Sequence, residues 1–290
     1  METVQTKRKI GMAPLAVAIM VLSLSPTIAL ADTVSFGVVP QQSATRLAKN
    51  WTPFLKSISE KAGIKVSFAT TKDIPSFEAC LSKGAYDFAY MNPYHYTVFH
   101  DQSGYQAFAR QKDKRLRGLL VVRKESAISS LQDLDGASIA FPSPAAFGAS
   151  VIPRAELAAR GVSFKPRYVK SHDSVYRAVS AGHQPAGGGV LRTFNTVPAD
   201  IRDQLHIVYR TEGYTPHAFA HREDVSSGTL ETVKAAMLEI ESTQPDLLRP
   251  LGMVGLQAAM DADWNDIRNL GLKREQTEIV ETGTLKCRSD

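Results

Sequence analysis

The sequence predicts an α/β protein in which two β-α blocks are built from one chain, one block inserted into the other. Three observations carry that prediction. Short β-branched or apolar runs alternate with helical patterns from Val34 onward, the signature of a largely parallel sheet covered by helices. The alternation stops at a polar, turn-rich segment, Ser126 to Gly136, and then restarts. Two apolar segments leave through similar basic-then-acidic exits, Arg123-Lys124-Glu125 and His221-Arg222-Glu223-Asp224. These read as paired connections between the same two lobes. The expected boundaries are 32–122 and 222–290 for the first lobe and 123–221 for the second.

Residues 1–31 read as an export signal. Lys7-Arg8-Lys9 is a basic start, Gly11 to Leu24 a mostly apolar core, and Ala29-Leu30-Ala31 a small-x-small cleavage site. The apolar run is short for a membrane span and is interrupted by Ser23, Ser25 and Pro26. An exported soluble protein beginning near Asp32 is therefore expected. Residues 1–31 carry three basic residues and one acidic one, so their removal lowers the formal charge from +5 to +3. That is too mild for a nucleic-acid partner, which asks for clustered basic patches, but it suits an anionic ligand. Cys80 lies in a helical pattern beside Phe77 and Leu81, and Cys287 is three residues from the end. An oxidising compartment permits a bridge between them, but two cysteines do not make a disulfide framework and the pairing stays open.

In order, Val34 to Val39 is a strand, and Leu47, Trp51, Phe54, Leu55 and Ile58 recur at helical spacing up to Gly63, with Pro53 expected to kink the helix. Ile64 to Ala69 is the next strand. Asp73 then caps a helix carrying Phe77, Cys80 and Leu81, and Tyr86 to Tyr90 follows as a third strand. Asn92 and Pro93 open a further helix. Leu116 to Val122, Ala137 to Ala140, Arg167 to Val169 and Leu205 to Tyr209 read as strands, and Gly187-Gly188-Gly189-Val190 as a short strand or turn. A helix starts at Ser171-His172-Asp173. Thr215 to His221 is an extended return, and the chain beyond Ser226, including Leu247 to Met260, reads as helical.

The stretch Phe141 to Ser150 sits where a strand hands over to a helix. It is built from small residues and holds no Lys or Arg. Backbone N–H groups and the positive end of a helix dipole would hold an anion there without a charged side chain. Pro153 leaves two geometries: a helix starting near Ser150, or one starting near Ala145 with a kink.

Enzyme chemistry finds no support. His172 and Asp173 are neighbours and point apart on a helix, no G-x-S-x-G or H-E-x-x-H occurs, and no histidine or cysteine spacing suits a metal. The glycine triplet lacks the Lys-Ser/Thr of a phosphate loop. No catalytic residue, metal or cofactor is expected.

Tyr86 to Tyr96, Phe141 to Pro153, Ser171 to Val175 and Thr215-Pro216-His217, in that order and spacing, resemble the periplasmic substrate-binding proteins of phosphate, phosphite and phosphonate ABC transporters. The resemblance covers nearly all of the mature chain. It implies a type II periplasmic binding protein fold: two lobes, each a mixed, mainly parallel sheet flanked by helices, joined by a two-strand hinge. It also implies capture of a small oxyanion in the cleft by lobe closure, delivery to a permease in the inner membrane, and a monomer. The alternative is a periplasmic sensor that presents its ligand to a membrane receptor kinase.

Carried onto this sequence, the resemblance points His172 at the anion and supplies a hydroxyl from Tyr94. The expected ligand-binding set is Gln42, Ser43, Asn92, Tyr94, Ser143, Ala145, Ala146, Phe147, His172, Thr215 and His217. Two departures narrow the ligand. Aligned on Pro153, Ala146-Phe147-Gly148 replaces the hydroxyl-rich loop of phosphonate binders. Ala186 to Gly189 replaces acidic residues that would meet a ligand amine, and a buried amine without a partner is costly. An aminoalkylphosphonate is therefore disfavoured. Arg192 either contacts an anion or, the preferred reading, braces its turn through a carboxylate.

Overall fold

The computed structural model describes residues 1–6, 33–271 and 287. The signal-peptide expectation falls largely outside these residues. Among them, no helix is long and apolar enough to cross a membrane.

The first block runs β1 (Thr33–Val38), α1 (Ala44–Ala62), β2 (Lys65–Ala69), α2 (Ile74–Ser82), β3 (Phe88–Met91), α3 (Pro93–Ser103) and β4 (Tyr105–Gln111). The chain then crosses to β5 (Gly118–Arg123), β6 (Ala137–Phe141), α4 (Ile152–Ala159), β7 (Phe164–Tyr168), α5 (His172–Ser180), β8 (Ala186–Val190), α6 (Leu191–Thr196), α7 (Ala199–Arg202) and β9 (Leu205–Arg210). It returns as β10 (Ala218–Arg222), α8 (Ser227–Thr243), β11 (Leu256–Ala258) and α9 (Asn265–Arg268).

Two mixed sheets result, ordered β11-β4-β10-β3-β1-β2 and β7-β6-β8-β5-β9. Each has a parallel heart, β2-β1-β3 in the first and β7-β6-β8 in the second. The returning β10 pairs antiparallel with β3 and β4, and β5 pairs antiparallel with β8 and β9. This is the two-lobed fold that the β-α restarts imply. The crossings are 112–117 and 211–217, and they touch through an antiparallel bridge between Leu116 and Tyr214.

Sheet membership shifts the expected lobe edges. The strand at 118–123 belongs to the second sheet, not the first lobe, and the strand at 218–222 belongs to the first sheet. The charged exits misled because they mark the far ends of β5 and β10, whereas the crossings lie at the near ends. Other expectations change too. Leu247 to Met260 is not a helix: it holds two short 3₁₀ turns and the edge strand β11. Its apolar residues recur at helical spacing, but Pro250, Gly252 and Gly255 break the run. β4 lacks a strongly apolar run and left no readable signal. Helix α1 spans Ala44–Ala62 with Pro53 inside it.

The lobes are packed differently. An aromatic cluster of Phe36, Trp51, Phe54, Tyr90 and Phe219 fills the first, with ring centroids 4.8–6.5 Å apart. Two smaller, mainly aliphatic cores, each with one aromatic pair, cover the faces of the second sheet. A disulfide joins Cys80, buried in α2, to Cys287 and resolves the pairing left open by the sequence.

Candidate ligand-binding site

In both lobes the carboxyl ends of the parallel strands face the cleft, the place where open α/β sheets bind ligands. Val39 and Gln41 follow β1, Asn92 follows β3, the Phe141 to Ser150 turn follows β6, and Val190 ends β8. His217 enters from the return crossing beside β10. Val39, Gln41, Ile74 and Asn92 on one side and Ala146, Phe147, Gly148, Ala149, His172 and Val190 on the other enclose a small cavity with His217. The pocket is closed down to about the size of one water molecule. No Asp or Glu lines it.

Backbone forms the wall of the second lobe. Phe147–Val151 is a π-helical turn that runs directly into α4, with Pro153 in its first turn. The α-helical part follows the first expectation, a start near Ser150 with Pro153 in the first turn, and the π-turn ahead of it was not expected. Val151 N–H donates to Ala146 O at 3.3 Å and Ile152 N–H donates to Phe147 O. In that register the next donor, to Gly148 O, would be the N–H that Pro153 lacks. The wide turn thus accommodates the proline and sends the Gly148 carbonyl elsewhere. Ala146 N–H is used by Ser143 O. The amides of Phe147, Gly148 and Ala149 open the turn and have no partner within it.

The glycine triplet of β8 makes this wall possible. A Cβ on Gly188 would collide with the Ala149 carbonyl oxygen, and one on Gly118 in neighbouring β5 with the Gly148 carbonyl oxygen. On the opposite face, Cβ atoms on Gly187 and Gly189 would collide with Val175 and Tyr176 of α5. Alternation along the strand therefore lets the π-turn press against one face and α5 against the other. Two helix starts, at Phe147 and His172, meet at the same strand end.

His172, the first residue of α5, is 2% exposed. Its Nδ1 lies 3.2 Å from Thr193 Oγ1, which also sits 2.8 Å from the Tyr176 hydroxyl and 3.0 Å from Val190 O. Nε2 has no protein hydrogen bond among the described residues, so it is left for the cavity. Burial, helped by the Arg192 charge, pushes its pKa down to about 3. The ring is neutral at physiological pH. Nε2–H donates into the cavity only in the tautomer whose Nδ1 accepts from Thr193, and Thr193 then gives up its donation to Val190 O, which keeps the bond from the Tyr176 hydroxyl. His217 stacks on Tyr90, centroids 5.0 Å apart. Burial, with Arg192 beside it, holds its pKa well below the ordinary value.

In the first lobe side chains provide the polar groups. Asn92 caps α3 by accepting from His95 N–H at 2.7 Å and donates across the cleft to Ala145 O at 3.1 Å. Gln41 Nε2 lies 3.0 Å from His217 Nε2, and its buried Oε1 has no protein hydrogen bond. Further bonds join the lobes: Gln42 Nε2 donates to Thr196 Oγ1 at 2.7 Å, and Arg46 donates to Thr196 O at 3.1 Å and lies 3.5 Å from Asp173.

Of the expected set, Asn92, Ala146, Phe147, His172 and His217 line the cavity. Ala145 contributes the carbonyl that Asn92 bonds. The others stand apart from the cavity walls. Gln42 bonds Thr196, and exposed Ser43 caps α1. Tyr94 is buried in the core of the first lobe. Ser143 is buried behind the loop, its hydroxyl without a protein partner. Thr215 is tied into the crossing by Asp263 O and Asp266. Among the described residues Arg192 has no carboxylate partner. It donates to Leu251 O at 3.2 Å and lies 5.7 Å over the Tyr90 ring. Sequence reasoning missed Gln41, Gly148, Ala149, Val190 and Thr193. The position of Val190 at a strand end beside the cleft was the one available signal.

The model of a family described as the ABC transporter, phosphonate, periplasmic substrate-binding protein family matches residues 36–264. The chain belongs to this family. Its members are solute-binding proteins, which implies a small-molecule ligand and a membrane permease as partner. The phosphate-import protein PhnD of Mycolicibacterium smegmatis is 21% identical over 235 residues, 70% of each chain. Among solved structures, PhnD1 from Prochlorococcus marinus in complex with methylphosphonate superposes with a TM-score of 0.77 at 17% identity, covering 86% of this chain and 99% of that one. A binding protein component of an ABC phosphonate transporter from Pseudomonas aeruginosa gives 0.76 at 18% identity, covering 83% and 86%. These likenesses carry the fold.

Proposed function

We propose that this phosphonate-binding-family chain is a periplasmic solute-binding protein of an ABC importer that captures a small phosphate-, phosphite- or phosphonate-type oxyanion by closing its lobes. The observation that carries this reading is the convergence of two helix starts on one tight, carboxylate-free cavity. The amides of Phe147, Gly148 and Ala149 and the imidazole of His172 come from one lobe, and the amides of Asn92 and Gln41 from the other. Hydrogen bonds to an anion in such a water-poor space are stronger than in water. Contacts from both lobes make closure and capture the same event. The names of two similar proteins point the same way, one importing phosphate and one holding methylphosphonate.

The cavity also selects. Without a lining carboxylate it offers no partner to a ligand ammonium, so aminoalkylphosphonates are poor ligands. A thermal-shift screen of phosphate, phosphite, methylphosphonate, 2-aminoethylphosphonate, sulfate and small carboxylates tests the reading. One or more of the small phosphorus oxyanions raises the melting temperature and the amine does not. If no small anion stabilises the protein, the reading fails. His172→Ala should weaken the best ligand at least about tenfold, the loss of one hydrogen bond to a charged group, while the folded protein persists.

A further inference from the structure

A second cavity of about 350 Å³ adjoins the first and shares Val190 and His217 as walls. Six cationic side chains line it, Lys114, Arg115, Arg117, Arg192, Arg210 and Arg249, and no Asp or Glu does. Arg115 pairs with Asp266 at 2.8 Å and Arg249 with Asp246 at 3.1 Å. The other four have no carboxylate partner among the described residues. Arg117 donates to Thr211 O, and Arg192 to Leu251 O.

The cations come from every part that frames the cleft. Lys114, Arg115 and Arg117 lie on the outgoing crossing, Arg192 and Arg210 in the second lobe, and Arg249 in the first lobe between α8 and β11. Most of them are exposed. Each pairwise attraction to a single phosphate is therefore screened over about 8 Å at physiological ionic strength. Only a ligand with several charges, spread over the width of the cavity, gains enough from such a ring.

We infer that this vestibule is a second anion site, taking a multivalent oxyanion of the pyrophosphate class, distinct from the inner cavity for a single small oxyanion. A nucleotide fits less well. The aromatic rings on the wall are Tyr90 and His217, and they stack on each other while the Arg192 guanidinium lies over Tyr90. The site also stands independently of the inner-cavity reading, because none of its cationic side chains lines the inner cavity.

Calorimetric titration of the full chain with pyrophosphate at constant ionic strength tests the inference. Two variants accompany the wild type: Lys114→Gln/Arg210→Gln, both exposed and outside the inner cavity, and His172→Ala. Saturable binding of one pyrophosphate per chain is expected. It should weaken at least tenfold in the double variant and stay unchanged in His172→Ala, while the double variant binds the best small oxyanion as the wild type does. Absence of saturable pyrophosphate binding overturns the inference. So does binding lost in His172→Ala but kept in the double variant, which would place pyrophosphate in the inner cavity. An equal loss for both anions in the double variant overturns it as well, because it would reduce the ring to a diffuse field.

Discussion

The two walls of the inner cavity do the same job by opposite means. The second lobe presents mainly backbone, amides at the start of a π-turn admitted by the absence of side chains at Gly118 and Gly188, with the His172 imidazole beside them. The first lobe presents side chains, Asn92 and Gln41, each positioned by buried hydrogen bonds. The backbone donors of that wall cannot be deleted one by one and are vulnerable to anything that adds volume behind them. A side-chain wall yields to single deletions, one donor at a time.

The sharpest way to break this contrast is Gly188→Val. The new side chain must displace the Ala149 carbonyl and with it the turn that carries the amides. Overpacking of this kind costs about 1–3 kcal/mol of stability. Losing two hydrogen bonds to an anion corresponds to about 100-fold in affinity at least. Urea unfolding and ligand titration read the two effects. Wild-type affinity in Gly188→Val would show that the backbone wall is not the anion site.

Asn92→Ala should do less. It removes the α3 cap, worth about 1 kcal/mol, and one donor at the cavity, with an affinity loss of about tenfold. If Asn92→Ala loses more affinity than Gly188→Val, the weight of binding lies in the first lobe instead.

A pH dependence tests the histidine of the second lobe. A histidine in the unfolded chain protonates near pH 6.5, whereas buried His172 does so only near 3. Between these values the unfolded state binds the extra proton, so stability falls as the pH drops from about 6.5 toward 3. His172 contributes a slope of about 1.4 kcal/mol per pH unit in that window, and His217 adds to it in the same direction. His172→Gln should flatten the slope measured between pH 6 and 4.5. An unchanged slope would show that His172 is not buried neutral.

Several features were legible before any coordinates. The β-α alternation and its restart predict two lobes because a strand buried on both faces must be apolar and a covering helix must be amphipathic. Asn92 could be placed because a capping residue followed by Pro93 has a local signature, and the structure confirms the cap. The start of α5 after Ser171 was legible for the same reason, whereas the choice of His172 as a ligand residue came from the family resemblance. Tyr94 and Thr215 misled. Helix phase turns Tyr94 into the core, and the neighbours of Thr215 in space, Asp263 and Asp266, lie some fifty residues away in the chain.

Sequence alone determined the fold class, the helix caps and the small-residue turn, since each depends on residues close together in the chain. Only the tertiary structure decided that β8 is the anvil on which both helix starts meet. A glycine's role as open space depends on what packs against it, and Ala149 and Tyr176 reach Gly188 and Gly189 only when the sheet is assembled. The same holds for the disulfide of Cys80 with Cys287 and for the ring of arginines around the vestibule. Each gathers residues that are distant in sequence and become neighbours only when the chain folds.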